Sequence, residues 1–149
     1  MKTSKTLILI LMTFVLAGAQ AQQKYSCTSD EIAFGGNDLV SYFDGTPTAG
    51  IAKYATEYDG LKLQFKNYDN LLKFKKDPEK YLPKYGGWCA TAVASNHYIK
   101  PDFNMFKIQD DQLLFFEVKA FYNGKTHWER NPEVNEIVAD KKYRVKFNE

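Results

Sequence analysis

The sequence predicts an α+β domain: a small antiparallel sheet built from two β-hairpins and covered by three or four short helices. Two pairs of strand-like runs are each joined by a short turn sequence, and several helix-start signals precede apolar segments. The aromatic content of 15% supplies enough bulky side chains for a compact core. We identify no internal repeat, low-complexity tract or long linker, so the sequence indicates one globular domain.

The first hairpin is predicted around Asp59-Gly60, which joins the alternating runs 54–58 and 61–65. An Asp-Gly pair favours the type I′ turn of a two-residue hairpin, because that turn needs positive φ at both positions. The second run then has one apolar face, made of Leu61, Leu63 and Phe65.

A second hairpin is predicted from Phe103–Ile108 and Gln112–Val118 around Asp110-Asp111. Its second strand is apolar on both faces, which is typical of a strand covered on both sides and predicts a central position in the sheet.

Helices are predicted where a capping residue precedes an apolar pattern. Asn37 or Asp38 begins a short helix that Gly45 ends, Asn67 begins the next, and Asp77-Pro78 begins a third. The last helix starts at Asn131-Pro132-Glu133, and its pattern predicts that it buries Val134, Ile137 and Val138.

The N-terminus has the features of a signal peptide over residues 1–21. Lys2 and Lys5 precede a short apolar run, and Ala19-Gln20-Ala21 is a small-x-small cleavage site. We therefore expect a secreted or periplasmic protein with no membrane span after signal-peptide removal. Residues 22–35 form a polar lead-in, and 36–149 form the domain.

Removal of Lys2 and Lys5 with the leader brings the formal net charge from +2 to zero. A near-neutral chain without a basic cluster argues against nucleic acid as a partner.

The segment 81–94 contains the sequence's main candidate for chemistry, Cys89, directly after Gly86-Gly87-Trp88. A cysteine at a helix start would have a lowered pKa, which suits a redox-active or metal-ligating thiol. The alternatives are a small buried apolar residue, or one half of a disulfide with Cys27, since exported proteins often bridge cysteine pairs.

A metal site would join Cys89 to His97, with His127 or Asp102 as further candidates. Copper or zinc would suit such ligands, although the spacing matches no known metal motif. The sequence has no nucleophile elbow, phosphate-binding glycine loop, Cys-x-x-Cys or His-Glu-x-x-His, so catalysis of those kinds is not expected.

The span from Gly36 to about Tyr143 resembles exported members of the YHS-domain family. The resemblance rests on these blocks: Gly36-x-Asp38-x-Val40-x-Tyr42-Phe43, Tyr58-Asp59-Gly60 with Phe65, Phe74-x-x-Asp77-Pro78-x-x-Tyr81, Pro83-x-Tyr85-Gly86-Gly87-Trp88-Cys89-Ala90, Trp128, and Ala139-Asp140. YHS domains elsewhere are associated with metal handling, but the thiol-containing block that follows the hairpin in metal-binding members here reads Phe65-Lys66-Asn67-Tyr68.

The resemblance implies a ligand-binding role for Asp38, Tyr42, Tyr85 and Trp88. Structural roles are the alternative, with Asp38 as a helix cap and the tyrosines as packing groups. The sequence thus predicts an exported YHS-like domain that binds a metal ion or a small molecule near Cys89. A thiol-dependent redox enzyme using Cys89, and a non-catalytic structural or interaction module with a Cys27–Cys89 disulfide, are the alternatives, so enzymatic activity stays open.

Overall fold

A computed structural model of the chain describes residues 23–148, so the expected signal peptide lies outside the described residues. The predicted α+β architecture is confirmed. The strands are β1 (Ile51–Tyr58), β2 (Leu61–Phe65), β3 (Asp102–Gln109), β4 (Gln112–Phe116), β5 (Val118–Lys119) and β6 (Tyr122–Asn123). The helices are α1 (Tyr68–Lys76), α2 (Pro78–Tyr81), α3 (Ala90–Ala94), α4 (Gly124–Trp128) and α5 (Pro132–Phe147), with 3₁₀ turns at Ala33–Gly36, Leu39–Asp44 and Lys84–Gly87.

Both predicted hairpins form, each as its own two-stranded antiparallel sheet, and β5 and β6 make a third. The turns Asp59-Gly60 and Asp110-Asp111 adopt positive φ at both positions, as the hairpin signal predicted. Leu61, Leu63 and Phe65 are buried on one face of β2.

The apolar strand β4 is buried from Leu113 to Phe116, as predicted, but it does not lie in the middle of a larger sheet. It pairs with β3 on one edge. Isolated bridges with Pro83 and Cys89 contact it elsewhere, so an irregular segment covers it where another strand was expected.

The predicted helix caps are confirmed at two positions. Asp38 accepts a hydrogen bond from the backbone N–H of Val40 (2.9 Å), and Asn67 accepts one from that of Asn70 (2.8 Å). These side chains satisfy N–H groups that the first turn of a helix leaves without partners.

The prediction that the last helix buries Val134, Ile137 and Val138 is wrong. All three side chains are exposed, and α5 instead buries Ala139 and Tyr143. The reason is that Ala139 and Tyr143 pack into the core, where the rings of Tyr143 and Tyr85 lie 5.7 Å apart, and Glu136 and Asp140 on the same side of the helix bind Lys84.

The structure contains an internal repeat that the sequence did not reveal. Residues 32–66 and 83–117 have the same backbone plan at a constant offset of 51 positions, so that β1 and β2 (beginning at 51 and 61) correspond to β3 and β4 (beginning at 102 and 112). Both hairpins have the same irregularity: Ile51 pairs with Phe65 and Asp102 with Phe116, each followed by a register shift.

Left-handed residues recur at the same offset. Phe34 and Tyr85 have φ of 53° and 58°, and each is followed by two glycines with positive φ. Gly45 and Asn96 likewise share positive φ, at 80° and 61°. Each half therefore consists of an aromatic-Gly-Gly turn, a short helical segment and a hairpin.

The two halves keep the same residue type at few positions: Gly35 and Gly86, Gly36 and Gly87, Asp59 and Asp110, Leu63 and Leu114, and Phe65 and Phe116.

The buried apolar residues of the domain form two clusters. One surrounds Phe34, Phe65 and Phe74, and the other surrounds Trp128 and Phe116 under α5. The expected polar lead-in contributes Cys27, Ala33 and Phe34 to the first cluster, so it is part of the domain core.

Candidate functional site

The Gly86-Gly87 pair allows the backbone of the N-terminal segment 24–26 to lie directly against the turn. A Cβ on Gly86 would overlap the carbonyl oxygen of Lys24, and one on Gly87 would lie 2.5 Å from Cε1 of Phe34. Both glycines also have positive φ, which side-chain-bearing residues rarely adopt. The two glycines are therefore required by the close approach and by the turn.

Two hydrogen bonds hold the N-terminal segment on this turn and the residue after it, and a third joins the segment to α5. Ser26 N–H donates to the carbonyl of Gly86 (2.9 Å). The carbonyl of Lys24 accepts from Trp88 Nε1 (3.1 Å) and from the hydroxyl of Tyr143 (3.3 Å). The polar edge of Trp88 thus holds the protein's own backbone, while its ring packs edge-to-face against Tyr98.

Cys89 occupies the N-cap position of α3, as the sequence suggested, but its thiol is fully buried. Sγ accepts a hydrogen bond from the backbone N–H of Glu117 (3.2 Å), and the N–H groups of Thr91 and Ala92 also point toward it. These donors favour the thiolate, but burial has the larger effect and raises the pKa of Cys89 above its ordinary value. The expectation of a lowered pKa at this position is therefore wrong.

The histidines do not join Cys89 in a ligand set. His97 lines a shallow cleft of about 230 Å³ together with Glu117 and Tyr122, and His127 stacks on Tyr122 with ring centroids 4.9 Å apart. Over residues 23–148, no group of three or more His, Cys, Asp or Glu side chains is arranged to hold a metal ion. Asp102 instead accepts a hydrogen bond from the backbone N–H of Asn104 (2.9 Å).

Cys27 and Cys89 are not bridged in this structure. Each sulfur accepts a backbone hydrogen bond of its own, from Phe34 N–H to Cys27 (3.1 Å) and from Glu117 N–H to Cys89. Both thiols are buried, and burial raises the pKa of Cys27 as well.

Two of the residues that the resemblance assigned to ligand binding are structural. Asp38 is fully buried and, besides capping its helix, accepts from Lys66 N–H (3.0 Å) and Asn70 Nδ2 (2.7 Å). Tyr42 is also fully buried, and its hydroxyl donates to the carbonyl of Phe103 (2.7 Å). Burial raises the pKa of Tyr42 to about 12. Neither side chain lines the cleft beside His97 or the cavity beside Tyr85 described below.

Tyr85, by contrast, lines a cavity with a volume of about 510 Å³. The cavity lies between the N-terminal segment, the Tyr85–Gly86 turn, the start of β4 and the inner edge of α5. Its lining mixes both charges with aromatic hydroxyls and includes Lys24, Tyr25, Glu79, Lys80, Lys84, Tyr85, Asp111, Gln112, Asp140, Tyr143 and Arg144.

A network of charged side chains fixes the inner wall of this cavity. Lys84 Nζ lies 2.5 Å from Glu136 Oε1 and 3.0 Å from Asp140 Oδ1, and the hydroxyl of Tyr85 donates to Asp140 Oδ1 (2.8 Å). Burial, reinforced by that carboxylate, raises the pKa of Tyr85 well above its ordinary value. Tyr85 is therefore a neutral hydrogen-bonding group at any physiological pH.

The network continues into the core. Gln109 Nε2 donates to Glu136 Oε2 (2.7 Å), while Gln109 Oε1 accepts from the indole N–H of Trp128 (3.0 Å). Sequence reasoning did not assign Lys84, Glu136 or Arg144 to a site. The only sequence signal was the spacing of Glu136, Asp140 and Arg144, which places them on one side of a helix.

The chain matches no protein-family model, no curated protein and no solved structure. The YHS resemblance therefore stays a prediction. No helix among residues 23–148 is both long enough and apolar enough to cross a membrane.

Proposed function

We propose that the protein is an exported, YHS-like binding domain that holds a small polar molecule in the cavity beside Tyr85. The observation that supports this is the cavity itself, whose volume of about 510 Å³ lies in the range of small-molecule sites. It adjoins the Gly-Gly-Trp-Cys block on which the family resemblance mainly rests.

The lining favours an organic ligand over a metal ion. Lysine, arginine and tyrosine side chains dominate it, and the carboxylate of Asp140 is already bound by Lys84 and Tyr85. The basic groups at the rim, Lys80 and Arg144, are exposed and can reach an acidic group of the ligand, whereas Glu79 and Asp111 suit hydroxyl or amino groups. A ligand with several hydrogen-bonding groups, such as a sugar, an amino acid or a small carboxylic acid, fits this lining best.

This proposal moves the site from Cys89 to the opposite side of the turn. A redox role for Cys89 gains no support from the geometry, because a buried thiol with a raised pKa is a poor nucleophile. Tyr85, which precedes the glycines, takes its place as the residue that links the turn to a ligand.

Native mass spectrometry of the purified protein, followed by calorimetry with sugars, amino acids and small carboxylic acids, tests the proposal. We expect at least one class to bind, and the double variant Lys80→Ala/Arg144→Ala to bind it at least tenfold more weakly. The control is Lys75→Ala, an exposed lysine on α1 away from the cavity. Absence of binding by every class, or equal binding by the double variant and the control, would contradict the proposal.

A further inference from the structure

The outward side of α5 is apolar, which is the reverse of the usual arrangement on a surface helix. Val134, Ile137 and Val145 are 59%, 70% and 73% exposed, and Val138 is 37% exposed. A helix that packs on a domain ordinarily directs its apolar residues inward and its charges to solvent. Here the inner face carries the ion-paired Glu136 and Asp140, and the apolar residues face away from the domain.

These residues form one continuous stripe. With 3.6 residues per turn, positions 134, 137, 138, 141 and 145 fall within about 100° of the helix circumference. The charged member, Lys141, can lay its aliphatic stem along the stripe while its ammonium group stays in water. A contiguous apolar surface of this kind is typical of an interface.

The charges beside the stripe indicate which partner fits it. Glu133 lies in the first turn of α5 and Arg144 in the last, and helical geometry places both on the same flank of the stripe. If a second copy of α5 packs antiparallel across a two-fold axis, Glu133 of each copy lies near Arg144 of the other. The surface is thus complementary to itself, which is the requirement for a symmetric dimer.

We propose that α5 forms an antiparallel helix–helix interface between two copies of this chain, with Val134, Ile137, Val138 and Val145 at its centre. This interface does not depend on the proposed ligand. Arg144 belongs to both regions, however, so the edge of the cavity would lie next to the second copy.

Sedimentation velocity and light scattering on the purified protein test the interface. We expect a dimer for the unmodified chain and a monomer for Ile137→Glu/Val145→Glu, with unchanged circular dichroism because both side chains are exposed. Leu72→Glu is the matched control: Leu72 is an exposed leucine of α1 (46%), and its replacement should leave the dimer intact.

A charge exchange tests the antiparallel arrangement separately. Glu133→Arg and Arg144→Glu should each weaken the dimer by about tenfold, because each disrupts two symmetric ion pairs, and combining them should restore it. A monomeric unmodified chain, or a dimer that persists in the Ile137→Glu/Val145→Glu variant, would overturn the interface. Failure of the combined charge variant to recover would overturn the antiparallel pairing.

Discussion

The two aromatic-Gly-Gly turns have the same backbone conformation but different coverings. In the first turn, the side chain of Phe103 lies over Gly35, so that the turn is closed by an aromatic ring. In the second, the carbonyl of Lys24 and the hydroxyl of Tyr143 lie over Gly86. A cavity lies beside the second turn, so the surroundings of such a turn depend on what packs against it and not on its glycines alone.

The second residue after each turn shares two backbone hydrogen bonds with its counterpart in the other half. Asp38 and Cys89 are equivalent by the 51-position offset, and each accepts a hydrogen bond from the N–H that follows its half's second hairpin strand, that of Lys66 or Glu117. Their own N–H groups donate to equivalent carbonyls, those of Thr48 (2.8 Å) and Ile99 (3.0 Å).

This equivalence assigns a structural role to the Cys89 thiol. The N–H of Glu117 bonds to a sulfur where the N–H of Lys66 bonds to a carboxylate. Only Asp38 also caps its helix, since Cys89 makes no side-chain cap hydrogen bond. Sulfur is a weaker acceptor than a carboxylate, and burial keeps it protonated. Cys89 therefore resembles a buried acceptor more closely than a reactive group.

The largest effect is expected from alanine at the second pair of glycines. Gly86→Ala and Gly87→Ala should each destabilise the fold by more than about 4 kcal/mol, or prevent folding, because backbone or buried aromatic atoms stand where the methyl group would go. Chemical denaturation followed by circular dichroism measures this loss.

Gly45→Ala is the control for the conformational part of that effect. Gly45 has φ of 80°, but beyond its chain neighbours no atom lies within 4 Å of the position that an added methyl group would occupy. Only the left-handed backbone cost of about 1–2 kcal/mol therefore applies. Equal losses at Gly45 and Gly86 would show that the approach of the N-terminal segment does not constrain the second turn.

A smaller and unequal effect is expected at the equivalent positions Asp38 and Cys89. Asp38→Ala leaves three buried donors without their acceptor and should cost about 3–5 kcal/mol. Cys89→Ala removes a weaker acceptor and a small apolar volume, and should cost about 1–2 kcal/mol.

Urea denaturation of both alanine variants measures the difference. The control is Cys27→Ala, which removes a buried thiol that accepts from Phe34 N–H but caps no helix. A loss at Cys89 as large as that at Asp38 would mean that the thiol is a stronger acceptor than its raised pKa implies.

Local backbone signals predicted much of the fold. The Asp-Gly turn, the caps Asp38 and Asn67 and the burial of β4 depend on neighbouring residues, and each is found in the structure. The repeat could not be read in the same way, because its halves share backbone angles that different residues adopt, as with Gly45 and Asn96.

The candidate site depended on long-range packing and was predicted less well. Tyr85 was identified, but its partner Asp140 lies 55 positions away and reaches it only because α5 packs across the second half. The apolar pattern of α5 predicted its buried face incorrectly, since the helix packs through Ala139 and Tyr143, with ion pairs to Lys84 beside them. Burial within the fold likewise raises the pKa of Cys89, and this effect is larger than the lowering by the N–H groups at the helix start.

The smallest expected effect is the pH dependence of the free energy of unfolding, which distinguishes a neutral thiol from a thiolate at Cys89. Burial raises the pKa of Cys27 and Cys89 above the ordinary 9.0, so the unfolded chain loses these protons at lower pH than the folded chain. Their contribution to the free energy of unfolding is then fully present below about pH 9 and declines as pH rises further. Urea midpoints between about pH 7 and 9 measure the onset of this decline, because above that range the tyrosines with raised pKa, ordinarily 10.0, add a decline of the same sign.

The single variants Cys27→Ala and Cys89→Ala assign the decline to each thiol, since each should remove its own part. The opposite slope would contradict the assignment of a neutral thiol to Cys89. If the N–H groups around Cys89 held a thiolate, its pKa in the folded chain would be lowered. The free energy of unfolding would then rise with pH up to about 9. In that case Cys89 would match Asp38 in charge as well as in position, and the second half would bury an anion beside Glu117. A falling slope instead means that a neutral thiol accepts the hydrogen bond from Glu117 N–H, without the cost of burying a charge at this position.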